Sequence, residues 1–207
     1  MPSPTVRRRT QEEIEKEAEI FLRNYYPNAW NGKEPSPADH FFELTIPQLF
    51  DIKTGYASLA RYGIIALGYT NATSKISIVE KNLVDDPTAN GRYEYRFTVL
   101  HESGHCVMHV PLVNWRESTN IKGKTFFFQD QYIDKMDDPE WQANQFTLSF
   151  SMPRHLVFEM AKKFGTGMQG IQAMSSRFDM SIGSVKARLK NLKCIPPGQI
   201  RIWDWAQ

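Results

Sequence analysis

Residues 96–109 read RFTVLHESGHCVMH, and this stretch decides the fold. Phe97, Leu100, Gly104 and Met108 recur at intervals of three and four, with Val99, Cys106 and Val107 on the adjoining stripe. That is the apolar spacing of an amphipathic helix packed against a core. Pro111 follows two residues after His109 and ends it. On such a helix His101 and His105 project from one face, about one turn apart. Two imidazoles at that spacing can hold one Zn²⁺ per chain, with Glu102 beside them as an acid/base for a water. Gly104 costs about 1 kcal/mol against Ala in a helix, which is tolerable where a second backbone passes close by. The plain alternative is a core helix that happens to carry histidines. Three of the five histidines in the chain, at 101, 105 and 109, weigh against it.

A catalytic zinc site takes a third protein ligand. Downstream, Asp138-Pro139-Glu140 is a helix start, with Asp as N-cap, Pro at the first helical position and Glu in the first turn. The helix runs on toward Met152-Pro153. Glu140 is the candidate ligand, but a first-turn Glu also complements a helix dipole. On spacing alone the two readings are even, and Glu117, Asp134, Asp137, Asp138 and His109 compete. His109 lies one turn beyond His105, a position suited to a group that supports a ligand.

RFTVLHESGH followed by EWQANQFTLSFSMP resembles the ImmA/IrrE family of zincin metallopeptidases. The resemblance rests on Arg96-Phe97-Thr98, His101-Glu102, His105 and His109, then Glu140, Ala143-Asn144, Phe146 and Met152-Pro153. It implies that His101, His105 and Glu140 bind zinc and that Glu102 is the catalytic acid/base. Ser103 stands where the family carries an apolar residue, and Phe150-Ser151 interrupts an apolar run. The resemblance further implies a protein substrate, a helix-turn-helix repressor or antitoxin encoded nearby. Its cleavage would derepress genes in a stress, DNA-damage, phage or mobile-element response. Around the site, Asn144 and His109 are candidates to support ligands, and Tyr93 and His155 to donate to an oxyanion.

Tyr62–Tyr69 and Lys75–Glu80 read as two strands joined by the polar turn 70–74. A strand just before the metal helix would offer an edge to an extended peptide. Residues 81–95 read as a loop framing the cleft, and 111–137 as a long connection or flap.

The remaining chain sets the class. A chain of 207 residues has ample material for a core, and a net charge of +2 gives no broad polyanion-binding surface. Two cysteines, Cys106 and Cys194, make no disulfide framework and suit a reducing cytoplasm. No apolar run is long enough to span a membrane. After Arg7-Arg8-Arg9 comes an acidic helix rather than the apolar core of a secretion signal. That helix starts with a capping box, Thr10 with Glu13, and carries the stripe Ile14, Ala18, Phe21, Leu22 and Tyr25. Short helices are expected from Ser36 and around 47–60.

After Pro153 come helices over 154–164, 168–176 and 181–193, the last two with a helix-turn-helix look and Ser181 as a cap. Lys186, Arg188 and Lys190 would be the DNA-facing residues if it bound DNA, or simply a solvated face. The expected organisation is a flexible tail 1–9, a zincin-like domain 10–164 and a helical appendage and tail 165–207. The fold class is α+β, with a small mixed or antiparallel sheet and the active-site helix. The competing function is a zincin-fold regulator that senses or binds DNA, with nucleic acid as an activator or a partner of the C-terminal helices and little or no proteolysis.

Overall fold

The computed structural model describes residues 6–110 and 134–194. The tail 1–5, the tail 195–207 and most of the expected flap, with Glu117 inside it, lie outside the described residues. The fold is α+β, as expected. Helices α1 (Gln11–Tyr25) and α2 (Pro27–Trp30) come first. Then α3 (Ala38–His40) runs through a wide π turn, Phe41–Thr45, into α4 (Ile46–Phe50). Strand β1 (Lys53–Ala57) follows, then β2 (Gly68–Asn71), β3 (Ile76–Glu80), α5 (Lys81–Val84) and α6 (Ala89–Met108). The chain continues with α7 (Pro139–Ser151), α8 (Arg154–Phe164), α9 (Met168–Phe178) and α10 (Ile182–Asn191).

The chain forms two compact units, Met1–Lys16 with Pro37–Thr147 and Glu17–Ser36 with Leu148–Gln207. The divisions fall within α1 and α7, and α8 lies in the second unit. In that unit the His155 ring on α8 lies tilted at 46° against Trp30, with ring centroids 4.1 Å apart, and its Nε2 lies 2.9 Å from the Trp30 carbonyl. These contacts bind α8 to the segment after α1.

In the first unit the sheet has the order β1-β3-β2. Strand β1 runs parallel to β3, from Lys53 beside Ile76 to Ala57 beside Glu80. Strand β2 is antiparallel to β3, with Thr70 opposite Ser77. The expected hairpin is therefore present over 68–80, but residues 62–67 do not join it, and β1 occupies a stretch expected to be helical. In β3 the buried positions are Ser77 and Val79, while Ile76 and Ile78 are less buried. A serine faces inward at the centre of the sheet because a polar group waits for it there.

Helix α6 starts earlier than its apolar pattern. The Thr88 side chain accepts from the Gly91 amide and caps it, so residues 89–95 are helix rather than loop. Residues 98–108 are buried almost all round, with His101 the exception. Ser103, fully enclosed, donates to the Val99 carbonyl at 2.8 Å, which is how this helix takes a hydroxyl where an apolar residue would serve. Gly104 is the point of closest approach to α7. A Cβ there would lie 3.3 Å from Cα and O of Ala143 and from the Phe146 ring.

The sequence signals for helix ends hold. Thr10 and Glu13 exchange their capping-box bonds, at 2.7 and 3.2 Å. Asp138 accepts from the Glu140 amide at 2.9 Å, and Ser181 from the Ser184 amide at 3.1 Å. In α1, Ile14, Ala18 and Leu22 are fully buried, but Tyr25 is exposed and pairs with Phe21 on the flank. Residues 7–9 are not a free tail. Arg8 reaches Asp134 at 2.9 Å and Asp137 at 2.8 Å, and the Arg9 amide donates to the Met136 carbonyl.

Candidate metal centre

Helix α6 presents His101 and His105 one turn apart, and the first turn of α7 brings Glu140 against them. Nε2 of His101 lies 3.1 Å from Oε2 of Glu140, and Nε2 of His105 lies 3.3 Å from Oε1. The two Nε2 atoms are 3.0 Å apart. One donor atom from each of the three residues falls within 4.8 Å of the others, a cluster that could hold one metal ion.

The outer side of each imidazole fits that use. Nδ1 of His101 lies 3.0 Å from Oδ1 of Asn144, and Nδ1 of His105 lies 2.9 Å from Nδ1 of His109. With Nδ1 engaged outward, each ring turns its Nε2 inward. Two neutral nitrogens and a carboxylate form a donor set suited to zinc. The Glu140 side chain is 40 % exposed while His101 and His105 are 15 % and 11 % exposed, so the cluster opens to solvent on the glutamate side.

Glu140 and His101 each favour the other's charged form. Burial opposes the charge on Glu140, but the bonds from His101 and His105 outweigh it and hold this carboxyl well below the usual range. Burial likewise works against a charged His101. The hydrogen bond to Glu140, the charges of Glu102 and Glu140 and the Asn144 bond overcome it and raise its pKa. His109 goes the other way: burial, helped by His105, pushes it down to about 3, so it is a neutral ring.

Glu102 is buried on the face of α6 that meets the sheet. Its Oε2 accepts from the Thr70 hydroxyl at 2.5 Å, and Thr70 Oγ1 lies 2.7 Å from Ser77 Oγ. With the Thr70 proton on Glu102, Ser77 donates to Thr70, which explains the inward serine of β3. Gly68 completes this wall. A Cβ there would overlap Oε1 of Glu102 and sit 2.6 Å from its Cδ and Cγ. The strand just before the metal helix, β3, is paired on both sides and offers no edge; among the described residues the edge on this side is β2, which both braces Glu102 and lies directly against it.

Thr70, Ser77, Gly68 and Gln142 were not singled out by the sequence reading. A pair of small hydroxyl residues opposite each other in a hairpin was the signal for the first two. Other candidates have partners of their own. Tyr93 holds the Arg92 guanidinium over its ring at 5.2 Å. His155 belongs to the second unit, where its Nε2 lies 2.9 Å from the Trp30 carbonyl. Asp134 and Asp137 bind Arg8, and Asp138 caps α7.

Arg188 corrects an expectation. It has no exposed surface, and its guanidinium donates to the Met152 carbonyl at 2.9 Å and to Ser149 Oγ at 3.1 Å. A side chain spent on those acceptors cannot face a nucleic acid. Lys190 is exposed and Lys186 half-buried on the same helix. No helix among the described residues is long and apolar enough to cross a membrane.

No curated protein matches the chain. The Peptidase_M78 family, described as an IrrE N-terminal-like domain, matches over residues 50–190. That span takes in the sheet, both helices that carry the cluster and the edge strand behind Glu102, and the chain accordingly belongs to this family of metallopeptidases of the IrrE and ImmA type.

Proposed function

We propose that the chain is a zinc-dependent endopeptidase that cuts one partner regulatory protein at a specific bond. The convergence of His101, His105 and Glu140 on one point, with a buried carboxylate beside them, is the observation that carries this reading. Zinc held there would polarise a scissile carbonyl and make a water nucleophilic near neutral pH. Glu102 takes the proton of the attacking water and returns it to the leaving amine. Thr70 holds one oxygen of that carboxylate, which leaves the other for the proton. An extended segment of the substrate adds along the edge of β2, where backbone pairing would set it beside Glu102.

The partner is a helix-turn-helix repressor or antitoxin encoded beside this chain. Its cleavage relieves repression in a stress, DNA-damage, phage or mobile-element response. Nucleic acid enters as an activating signal or at Lys186 and Lys190. The rival reading, a DNA-binding regulator without proteolysis, loses Arg188 from its contact surface.

Purified chain and purified partner decide between them. Glu102→Gln should keep zinc and the fold and leave the partner whole. Cutting at the wild-type rate by that variant ends the peptidase reading. Glu140→Ala should lose zinc by elemental analysis, and an unchanged metal content removes Glu140 from the ligand set.

A further inference from the structure

Gln142, on α7, has no exposed surface and lies one residue beyond the neighbour of Glu140. Its amide nitrogen donates to two backbone carbonyls, Arg7 at 2.9 Å and Met136 at 2.7 Å. Carbonyls only accept, so the nitrogen must face them and the amide oxygen must face the other way. There it meets Nε2 of His109 at 3.2 Å. That nitrogen must therefore carry the proton. When a metal takes the lone pair of Nε2 of His105, the proton of that ring sits on Nδ1, which lies 2.9 Å from Nδ1 of His109. Two nitrogens that close share one proton, so Nδ1 of His109 is the acceptor and the Gln142 oxygen takes the proton on its Nε2. With a metal on His105 the polarity of every link is consistent, and the chain starts at a backbone carbonyl of residue 7.

We propose that the N-terminal segment Arg7–Arg9 is part of the metal centre, fixing the tautomer and ring of His105 through Gln142 and His109 and so setting zinc affinity. The inference rests on the ligand assignment made above. The segment is fastened to the turn that leads into α7. Arg8 bridges Asp134 and Asp137, and the Arg9 amide donates to the same Met136 carbonyl that Gln142 uses. The strap therefore grips the start of the Glu140 helix as well as the outer side of His105. Coupling of this kind is reciprocal: what tightens zinc on docking is itself tightened by zinc.

Zinc alone is the probe, with the full-length chain and a chromophoric chelator in competition. Loss of a group that orients a metal ligand typically weakens binding about 10–100-fold, and that is the expectation for Gln142→Leu. Arg8→Glu changes only an exposed side chain remote from the ligands and should weaken zinc about 3–10-fold by loosening the strap. The Arg9 amide should exchange with solvent more slowly in the zinc-loaded protein than after chelation. A merely structural role would lower the melting temperature of both forms and leave zinc affinity and the exchange difference unmoved. If wild type takes up zinc and Arg8→Glu binds it equally tightly, with no zinc-dependent change at Arg9, the inference is overturned while the ligand assignment stands. If Gln142→Leu does not fold, Arg8→Glu and the exchange measurement decide alone. If wild type binds no zinc, the ligand assignment fails and takes the strap with it.

Discussion

Gly104 is where the two helices of the metal centre come closest, and enlarging it sets two known effects against each other. Alanine in a helix interior is favoured over glycine by about 1 kcal/mol. Against that, a new Cβ would stand 3.3 Å from two backbone atoms of Ala143 and from the ring of Phe146. Carbon atoms pack best at about 3.5–4.0 Å, so α6 and α7 must part by a few tenths of an ångström. Backbone cannot rotate aside as a side chain does, and overpacking a core costs about 1–3 kcal/mol. Strain wins over propensity: Gly104→Ala should lose about 1 kcal/mol net, and Gly104→Val, with two further carbons and a branched Cβ, about 3 kcal/mol. Urea unfolding with an unchanged slope reads both values. The same separation moves Glu140 away from His101 and His105, so zinc affinity should fall in the same order. A Gly104→Val protein with the wild-type midpoint and wild-type zinc affinity would refute the close approach and the geometry built on it.

Three further outcomes follow from named contacts. Thr70→Val removes the donor to Glu102, and a hydrogen bond to a charged group is worth about 1.5–3 kcal/mol, so turnover of the partner protein should drop about 10–100-fold. KM and zinc content should hold, and Thr70→Ser should restore the rate; a rate unchanged in Thr70→Val removes Thr70 as the brace. Arg188→Ala leaves a cavity and two orphaned acceptors, the Met152 carbonyl and Ser149, and should cost about 2–4 kcal/mol in urea unfolding. A loss under about 0.5 kcal/mol would place that guanidinium on the surface after all. The third concerns pH. Burial pushes the Cys106 thiol up from 9.0 to about 12, so the folded chain keeps a proton that the unfolded chain releases. The stability from this group is whole below pH 9.0 and drains away as pH rises toward 12, by at most about 1.4 kcal/mol per pH unit. Urea midpoints from about pH 8 to about pH 11 should fall less steeply in Cys106→Ala than in wild type; parallel curves would contradict the burial of that thiol.

Much of this molecule was legible in order along the chain, because the signals involved are local. A spacing of four puts His101 and His105 on one face whatever surrounds the helix. Asp138-Pro139-Glu140 starts a helix through bonds within its own first turn, and Thr10 with Glu13 does the same. The first 60 residues matched no pattern that located β1, whose pairing with β3 joins positions more than twenty residues apart. Residues 89–95 carry no apolar stripe and have the local composition of a loop, yet a Thr88 cap and continuity with the buried half hold them in a helix.

The sequence by itself determined which side chains can do the chemistry and on what kind of element they ride. Tertiary structure alone decided what aims and restrains them. It turned Ser77 rather than the isoleucines of β3 inward and placed Thr70 on Glu102, 32 residues away. It drew Arg188 off the surface, and it joined residue 7 to Gln142 across 135 residues of chain. The physical reason is one of range. Helix periodicity and caps are set by neighbours within a turn, whereas a hydrogen bond between distant residues exists only once the packed core has brought its two ends together.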